Sequence, residues 1–179
     1  MRQTFNLIPH PDHPVPAEIG VAGEIRTEGG MVNVTYRLSG DLAPVHIPRA
    51  AGLPLRLDNL WRTTCFEMFA SEREAETYWE FNLSPAGDWN VYRFDTYRQG
   101  QCPEMQVSNL TFDVKHQPES LELVLAFDLA TLLPGGVELE VGLTAVVEVG
   151  NQVTYWALQH GPSEPDFHNR NTFLLAVSS

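Results

Sequence analysis

Residues 60–100, LWRTTCFEMFASEREAETYWEFNLSPAGDWNVYRFDTYRQG, decide the fold. Three strand-like runs, residues 64–70, 77–83 and 89–97, are separated by residues 71–76 and by Ser84-Pro85-Ala86-Gly87-Asp88. These interruptions carry turn chemistry: proline presets φ, glycine admits positive φ, and serine or aspartate bonds nearby backbone. Turns this short join antiparallel neighbours, because a parallel pair needs a long crossover. The stretch predicts a three-stranded meander.

Side chains along a strand alternate between faces. Phe66 and Met68, then Trp79, Phe81 and Leu83, then Tyr92 and Phe94 form an apolar set expected to face the core. Phe66, Phe81 and Phe94 are expected to share that core with Leu123 and Leu125. The opposite set holds Cys65, Glu67 and Phe69, then Tyr78, Glu80 and Asn82, then Trp89, Arg93, Asp95 and Tyr97. It mixes flat aromatic rings with carboxylate, amide and guanidinium groups, which suits a ligand offering both apolar faces and hydroxyls. The competing expectation is that these groups pack under a loop and satisfy one another.

Outward from the meander the same alternation recurs. Residues 4–8 and 17–27 read as strands, the second broken by two glycines, and Glu28-Gly29-Gly30 as a hairpin turn into residues 31–38. Residues 39–59, with Pro44, Pro48 and Pro54, have no sustained period and form a long connection that sets Trp61 at the rim, just before a strand. Residues 105–114, with a bulge at Ser108-Asn109, and residues 121–128 read as strands. A short helical turn capped by Asp128 and stopped by Pro134 comes next. Residues 137–149 and 152–159 form a hairpin across Gly150-Asn151, and residues 172–177 close the chain. Nine or ten strands with little helix predict an all-β fold, a two-sheet antiparallel β-sandwich spanning residues 1–179 as one domain.

Composition narrows the partners. Eleven Lys and Arg against 23 Asp and Glu give 11 − 23 = −12, a field that repels nucleic-acid phosphates and anionic lipid. Neither nucleic acid nor membrane is expected as a partner. No apolar run has the length of a signal peptide or the ~18 residues of a membrane helix, so the expected location is cytoplasmic. Cys65 and Cys102 are too few for a disulfide scaffold. The double glycines lack the strand–helix context of a phosphate cradle.

Two clusters carry possible chemistry. Glu67 and Glu80 on neighbouring strands could serve as a glycosidase pair. His160, Asp166 and His168 could ligate a metal, or could instead bond backbone carbonyls and pin the closing strand. No cofactor is expected, with haem or a divalent metal as the open alternative.

The run Trp61-x3-Cys65-x-Glu67-x-Phe69, followed by Tyr78-x-Glu80-Phe81-Asn82-x-Ser84-Pro85-x-Gly87-x-Trp89, resembles DOMON-like domains related to the type-nine carbohydrate-binding modules. The ending Phe167-His168-x4-Phe173-x-Leu175 is similar to the close of those modules. The resemblance implies a jelly-roll-like sandwich that holds a small saccharide or the end of a polysaccharide between two tryptophans, without catalysis. Trp61 and Glu67 match the first tryptophan and its following acid. Trp156 is the candidate second tryptophan, with Asn82 and Arg98 as polar partners. Haem-binding relatives keep a haem or metal protein as the alternative.

Overall fold

Gly29 and Gly30 both take positive φ, 57° and 85°, in the tight turn that joins β2 (Ile19–Glu28) to β3 (Met31–Gly40). A turn of that hand matches the twist of its flanking strands, and the hairpin runs in register over its whole length. The computed structural model describes residues 1–133 and 138–178. Its first strand is β1 (Arg2–Pro9), and the central meander is β4 (Cys65–Glu72), β5 (Tyr78–Leu83) and β6 (Trp89–Phe94). β7 (Cys102–Pro103), β8 (Phe112–Gln117) and β9 (Ser120–Asp128) follow, then β10 (Glu138–Val149), β11 (Gln152–Ala157) and β12 (Leu175–Ser178). Among the described residues helix is limited to three 3-10 turns, Leu60–Arg62, Leu129–Thr131 and Arg170–Thr172. Asp128 caps the second, its Oδ1 accepting from the Ala130 amide at 3.0 Å. Pro134, Gly135, Gly136 and Val137 lie outside the described residues. No helix among the described residues is long and apolar enough to cross a membrane.

All strand pairs are antiparallel, and they form one path, β7-β6-β5-β4-β10-β11-β1-β2-β3-β9-β8, with β12 also on β10. The fold is all-β, as the alternation predicts, but with twelve strands rather than nine or ten. Two separate sheets are replaced by one curled path, because β1 joins its two halves. Arg2 to Leu7 pair with β2, while Ile8 and Pro9 pair with β11.

The path closes on itself through side chains. Tyr36 on β3 lies 5.2 Å, ring to ring, from Phe66 on β4, and Phe81 on β5 lies 5.0 Å from Phe127 on β9. The Tyr36 hydroxyl donates to the Glu67 backbone oxygen at 2.6 Å, so this buried phenol has its partner. The core between the layers includes Phe66, Met68, Trp79, Phe81, Leu83, Leu123 and Leu125.

Two expectations fail locally. The faces assigned to β4 and β5 agree with the structure, but those of β6 are inverted. Trp89 and Val91 face the main core, whereas Tyr92 and Phe94 join a second cluster with Phe69, Tyr78 and Phe173 on the other side of the sheet. Register shows why: Glu80 pairs with Tyr92 and Phe81 with Val91, and directly paired residues share a face. With apolar residues at both phases of β6, alternation alone did not fix its face. Phe94 therefore leaves the expected Phe66–Phe81–Leu123–Leu125 group.

The strand expected over residues 105–114 begins only at Phe112. Before it, the Arg56 guanidinium takes the carbonyls of Glu104 and Val107, and the Gln106 amide goes to Glu104 Oε1. Those bonds hold a turn where a ladder was expected, while Val107 and Leu110 still reach the core.

Phe81 is fully buried between the layers. Truncation to alanine should cost ~3–5 kcal/mol of unfolding free energy, the usual range for buried aromatic residues. Denaturant titration checks it; a loss under about 0.5 kcal/mol, the surface range, would place Phe81 outside the core.

Candidate functional site

β4 and β5 place Glu67 and Glu80 on the sheet face turned away from the main core, together with Phe69 and Tyr78. Above this face lies a cleft of about 720 Å³, in the size range of small-molecule sites. Its floor is built from Glu67, Phe69, Glu80 and Phe94. Its walls include Trp61, Arg98, Tyr155, Phe167 and His168, together with Asp12 and His13 from the N-terminal segment.

The long connection delivers Trp61 as expected, and its end is pinned at several points. The Leu55 amide donates to Asp88 Oδ1, and the Trp89 amide to the Leu55 carbonyl, each at 2.9 Å. The Tyr92 hydroxyl donates to Asp58 Oδ1 at 2.6 Å, and Asn90 Nδ2 to the Leu57 carbonyl at 3.0 Å. Asn59 then turns into the 3-10 turn at a left-handed φ of 62°, a conformation asparagine tolerates better than most residues. Trp61 stands on that turn 45% exposed, whereas Trp79, Trp89 and Trp156 are exposed by 6% or less.

The roof comes from the C-terminal loop. Phe173 lies against Phe69, ring centroids 5.7 Å apart, over Gly142, where a Cβ would meet its ring at 2.8 Å. Phe94 stacks on Tyr78 at 4.7 Å. His168 sits edge-on to Phe69, Tyr78 and Phe94.

Hydrogen bonds settle the polar roles. Tyr78 Oη accepts from the Arg98 amide at 3.1 Å and shares a second hydrogen bond of 2.8 Å with His168 Nδ1, whose direction follows the histidine tautomer. In the tautomer that accepts from Tyr78 the His168 proton sits on Nε2, 3.9 Å from Glu80 Oε2, too long for a direct bond but short enough for both to bond one ligand hydroxyl. Asn82 does not line the cleft; its Nδ2 donates to Glu80 Oε1 at 2.8 Å and orients that carboxyl. Thr144 Oγ1 donates to Glu67 Oε2 at 3.3 Å, and Glu67 Oε1 is buried without a partner.

Burial, reinforced by Glu80, pushes the Glu67 carboxyl well above the usual carboxylate range. Burial also raises Glu80 to about 7, against the pull of Asn82 and Arg98. His168 is lowered to about 4, by burial and then by Arg98. At neutral pH Glu67 and His168 are thus uncharged, while Glu80 stands near the middle of its titration.

The sequence-derived residues divide. Trp61, Glu67, Arg98 and His168 converge on the cleft. Trp156 does not: it is 3% exposed in the main core, its indole N–H donating to Thr154 Oγ1 at 2.9 Å. A one-residue change of phase on β11 turns Trp156 inward and Tyr155 toward the cleft, so no second tryptophan faces Trp61. Asp166 stands behind the wall, binding Arg98 at 2.9 Å and the Tyr97 hydroxyl at 2.8 Å. His160 Nε2 bonds the Ile8 carbonyl at 2.9 Å, tying the loop to β1. The side chains of this possible metal or structural cluster thus point to different partners, His160 to the Ile8 carbonyl, Asp166 to Arg98 and Tyr97, and His168 to the Tyr78 hydroxyl. No group of three or more His, Cys, Asp or Glu suited to a metal occurs among the described residues. Cys65 and Cys102 are both free. Sequence reasoning missed Tyr155, Asp12 and His13; the last two lie in a proline-rich segment with no period to assign a face.

No protein-family model matches the chain, and no curated protein matches it by sequence. Its fold does recur in solved structures. The chain is similar to a candidate carbohydrate-binding protein from Bacteroides uniformis, with 15% identity and a TM-score of 0.70 over 97% of this chain and 84% of that one. It is also similar to a family 9 carbohydrate binding module from Caldicellulosiruptor kristjanssonii. The complex with glucose gives 9% identity and a TM-score of 0.54 over 93% and 79% of the two chains. The cellotriose complex gives 10% identity and a TM-score of 0.55 over 94% and 79%. At such identities the likeness speaks to the fold.

The opposed shifts make pH a test of the floor. Glu80, raised from 4.5 to about 7, holds a proton in the folded state that the unfolded chain has released. Its contribution to unfolding free energy therefore falls as pH rises through that window. His168, lowered from 6.5 to about 4, contributes the opposite slope, because the unfolded chain takes the proton first. Glu80→Gln should make stability rise more steeply with pH between about 4.5 and 7 than in the parent, and His168→Gln should make it fall more steeply. Denaturant midpoints at several pH values read both slopes; unchanged slopes would mean that these side chains are solvated.

Proposed function

We propose that the chain is a DOMON-like relative of the family 9 modules and that its cleft is a non-catalytic saccharide-binding site. One observation carries this reading: Trp61, alone among the four tryptophans in being exposed, stands at a cleft whose floor is lined with hydroxyl-matching polar groups. A pyranose ring offers an apolar C–H face to an aromatic plane, and its hydroxyls need explicit partners where water is excluded. Trp61, Tyr155 and Phe94 supply the planes. Glu67, Glu80, His168 and Arg98 supply the donors and acceptors. Solved relatives of this fold in complex with glucose and with cellotriose support the ligand class.

The acid pair supports binding better than hydrolysis. A glycosidase flanks the scissile bond with its two carboxyls. Glu67 and Glu80 instead lie diagonally on adjacent strands of one floor, on the same side of any ligand above it.

A ligand of about a dozen heavy atoms at ~0.3–0.5 kcal/mol per atom reaches about 4–6 kcal/mol, a dissociation constant from millimolar to tens of micromolar. Glucose or cellotriose should perturb Trp61 emission in that range. Trp61→Ala should weaken binding about tenfold or more, measured by calorimetry, with an unchanged thermal midpoint, since an exposed ring adds little to stability. Undiminished binding by Trp61→Ala would remove Trp61 from the site. Release of nitrophenol from aryl glycosides, lost in Glu80→Gln, would overturn the non-catalytic reading.

A further inference from the structure

Glu67 is the side chain in the cleft whose environment fits its usual chemistry least. It is 2% exposed, its Oε2 accepts one hydroxyl hydrogen from Thr144, and its Oε1 has no partner. No cation answers it. The Arg98 guanidinium is held by Asp166 at 2.9 Å, and His168 is a neutral ring with Nδ1 occupied by Tyr78. The acidic groups that face it are Glu80 from β5, Cys65 from its own strand and the Tyr36 phenol from β3. At the rim Asp12 and Glu164 add negative charge, with only His13 beside them as a further base. A carboxylate there would be a buried charge with one neutral donor and an acid for a neighbour, and such a group keeps its proton instead.

Resting on the saccharide reading above, we infer that the cleft selects uncharged saccharides and that Glu67 meets them as an un-ionised acid, donating a hydrogen bond. Glu80, oriented by the Asn82 amide, is the neighbouring acceptor, and His168 Nε2–H is a second donor. Adjacent hydroxyls on a sugar each carry one hydrogen and two lone pairs, so they fit a floor on which donor and acceptor stand side by side. A uronic acid or a sugar phosphate would have to leave water for a floor where Arg98 is already held by Asp166, and that uncompensated desolvation excludes it. The un-ionised Glu67 carries the consequence opposite to that of a carboxylate acceptor: binding weakens as pH rises and the proton is lost. Its carboxyl, held well above the ordinary range by burial and by Glu80, supports the same sign.

The test titrates cellotriose, glucose and glucuronate into the intact protein at about pH 5.5, 7 and 8.5, read by calorimetry. Parent affinity for cellotriose should fall across that range, the fall should persist in Glu80→Gln, whose parent carboxyl titrates near 7, and glucuronate should show no saturable binding. Glu67→Gln, whose amide is a permanent donor, should lose the fall with pH. Glu67→Leu, with no donor, should bind about tenfold or more weakly even at the lowest pH. Infrared difference spectra of parent against Glu67→Gln at neutral pH should show a protonated-carboxyl band, whether or not ligand is present. A flat parent profile, a fall retained by Glu67→Gln, glucuronate binding equal to glucose, or no protonated band would each overturn the inference. If the parent binds none of these sugars at any pH, the saccharide reading itself falls and takes the ligand class with it, whatever the infrared band shows.

Discussion

β4 and β5 are buried on both faces, and the rest of the molecule answers to that constraint. Seven consecutive residues of β4, from Cys65 to Ser71, and all six of β5 are buried. One face presses on β3 and β9 through Phe66, Phe81, Tyr36 and Phe127. The other needs a roof, which Phe173, Phe167 and His168 of the C-terminal loop provide over Phe69, Tyr78 and Phe94. Burial of two faces supplies hydrophobic stabilisation twice over, but it also strands every polar side chain on the roofed face. Asn82, Thr144 and Tyr78 satisfy most of those groups. The cleft is the part of this face that the roof leaves open.

The same packing makes the cleft a preformed one. Trp61 is held by a chain of bonds from the Leu55 backbone through Asp58 to Tyr92, so its 3-10 turn is anchored to the meander that carries the floor. Arg98 is similarly fixed, its backbone by Tyr78 and its guanidinium by Asp166. A small ligand has little binding free energy to spare for ordering side chains, so this rigidity matters more than the size of the contact. Of the 23 acids behind the formal charge of −12, the two deepest in the cleft resist ionisation.

Fold and function rest on different observations in this molecule. A fold that recurs at 9–15% identity shows that many sequences satisfy the same layered packing. It does not transfer a ligand, because sites are grafted onto folds by particular residues. In the reading proposed above those residues are one exposed tryptophan, an acid pair and a histidine bonded to a tyrosine. No second tryptophan faces Trp61 across the cleft.

By itself the sequence determined the all-β class, the meander at residues 60–100, the Gly29-Gly30 hairpin and the outward placing of Glu67 and Glu80. Each is local: strand alternation has period two, and turn residues act within four positions. It also marked Trp61, because a tryptophan ending a long aperiodic connection has no core face to join. The tertiary structure alone decided the phase of β6 and β11, the bridging of the two halves of the path by β1, and the position of Trp156. On β6 both phases are apolar, and on β11 Tyr155 and Trp156 are adjacent aromatics. Either could turn inward until register with β5 and β10 fixed the choice. The convergence of Asp12, Tyr155 and His168 on the acid pair was likewise beyond local reading. It follows from strand order and loop closure over more than a hundred residues, which no short window of sequence encodes.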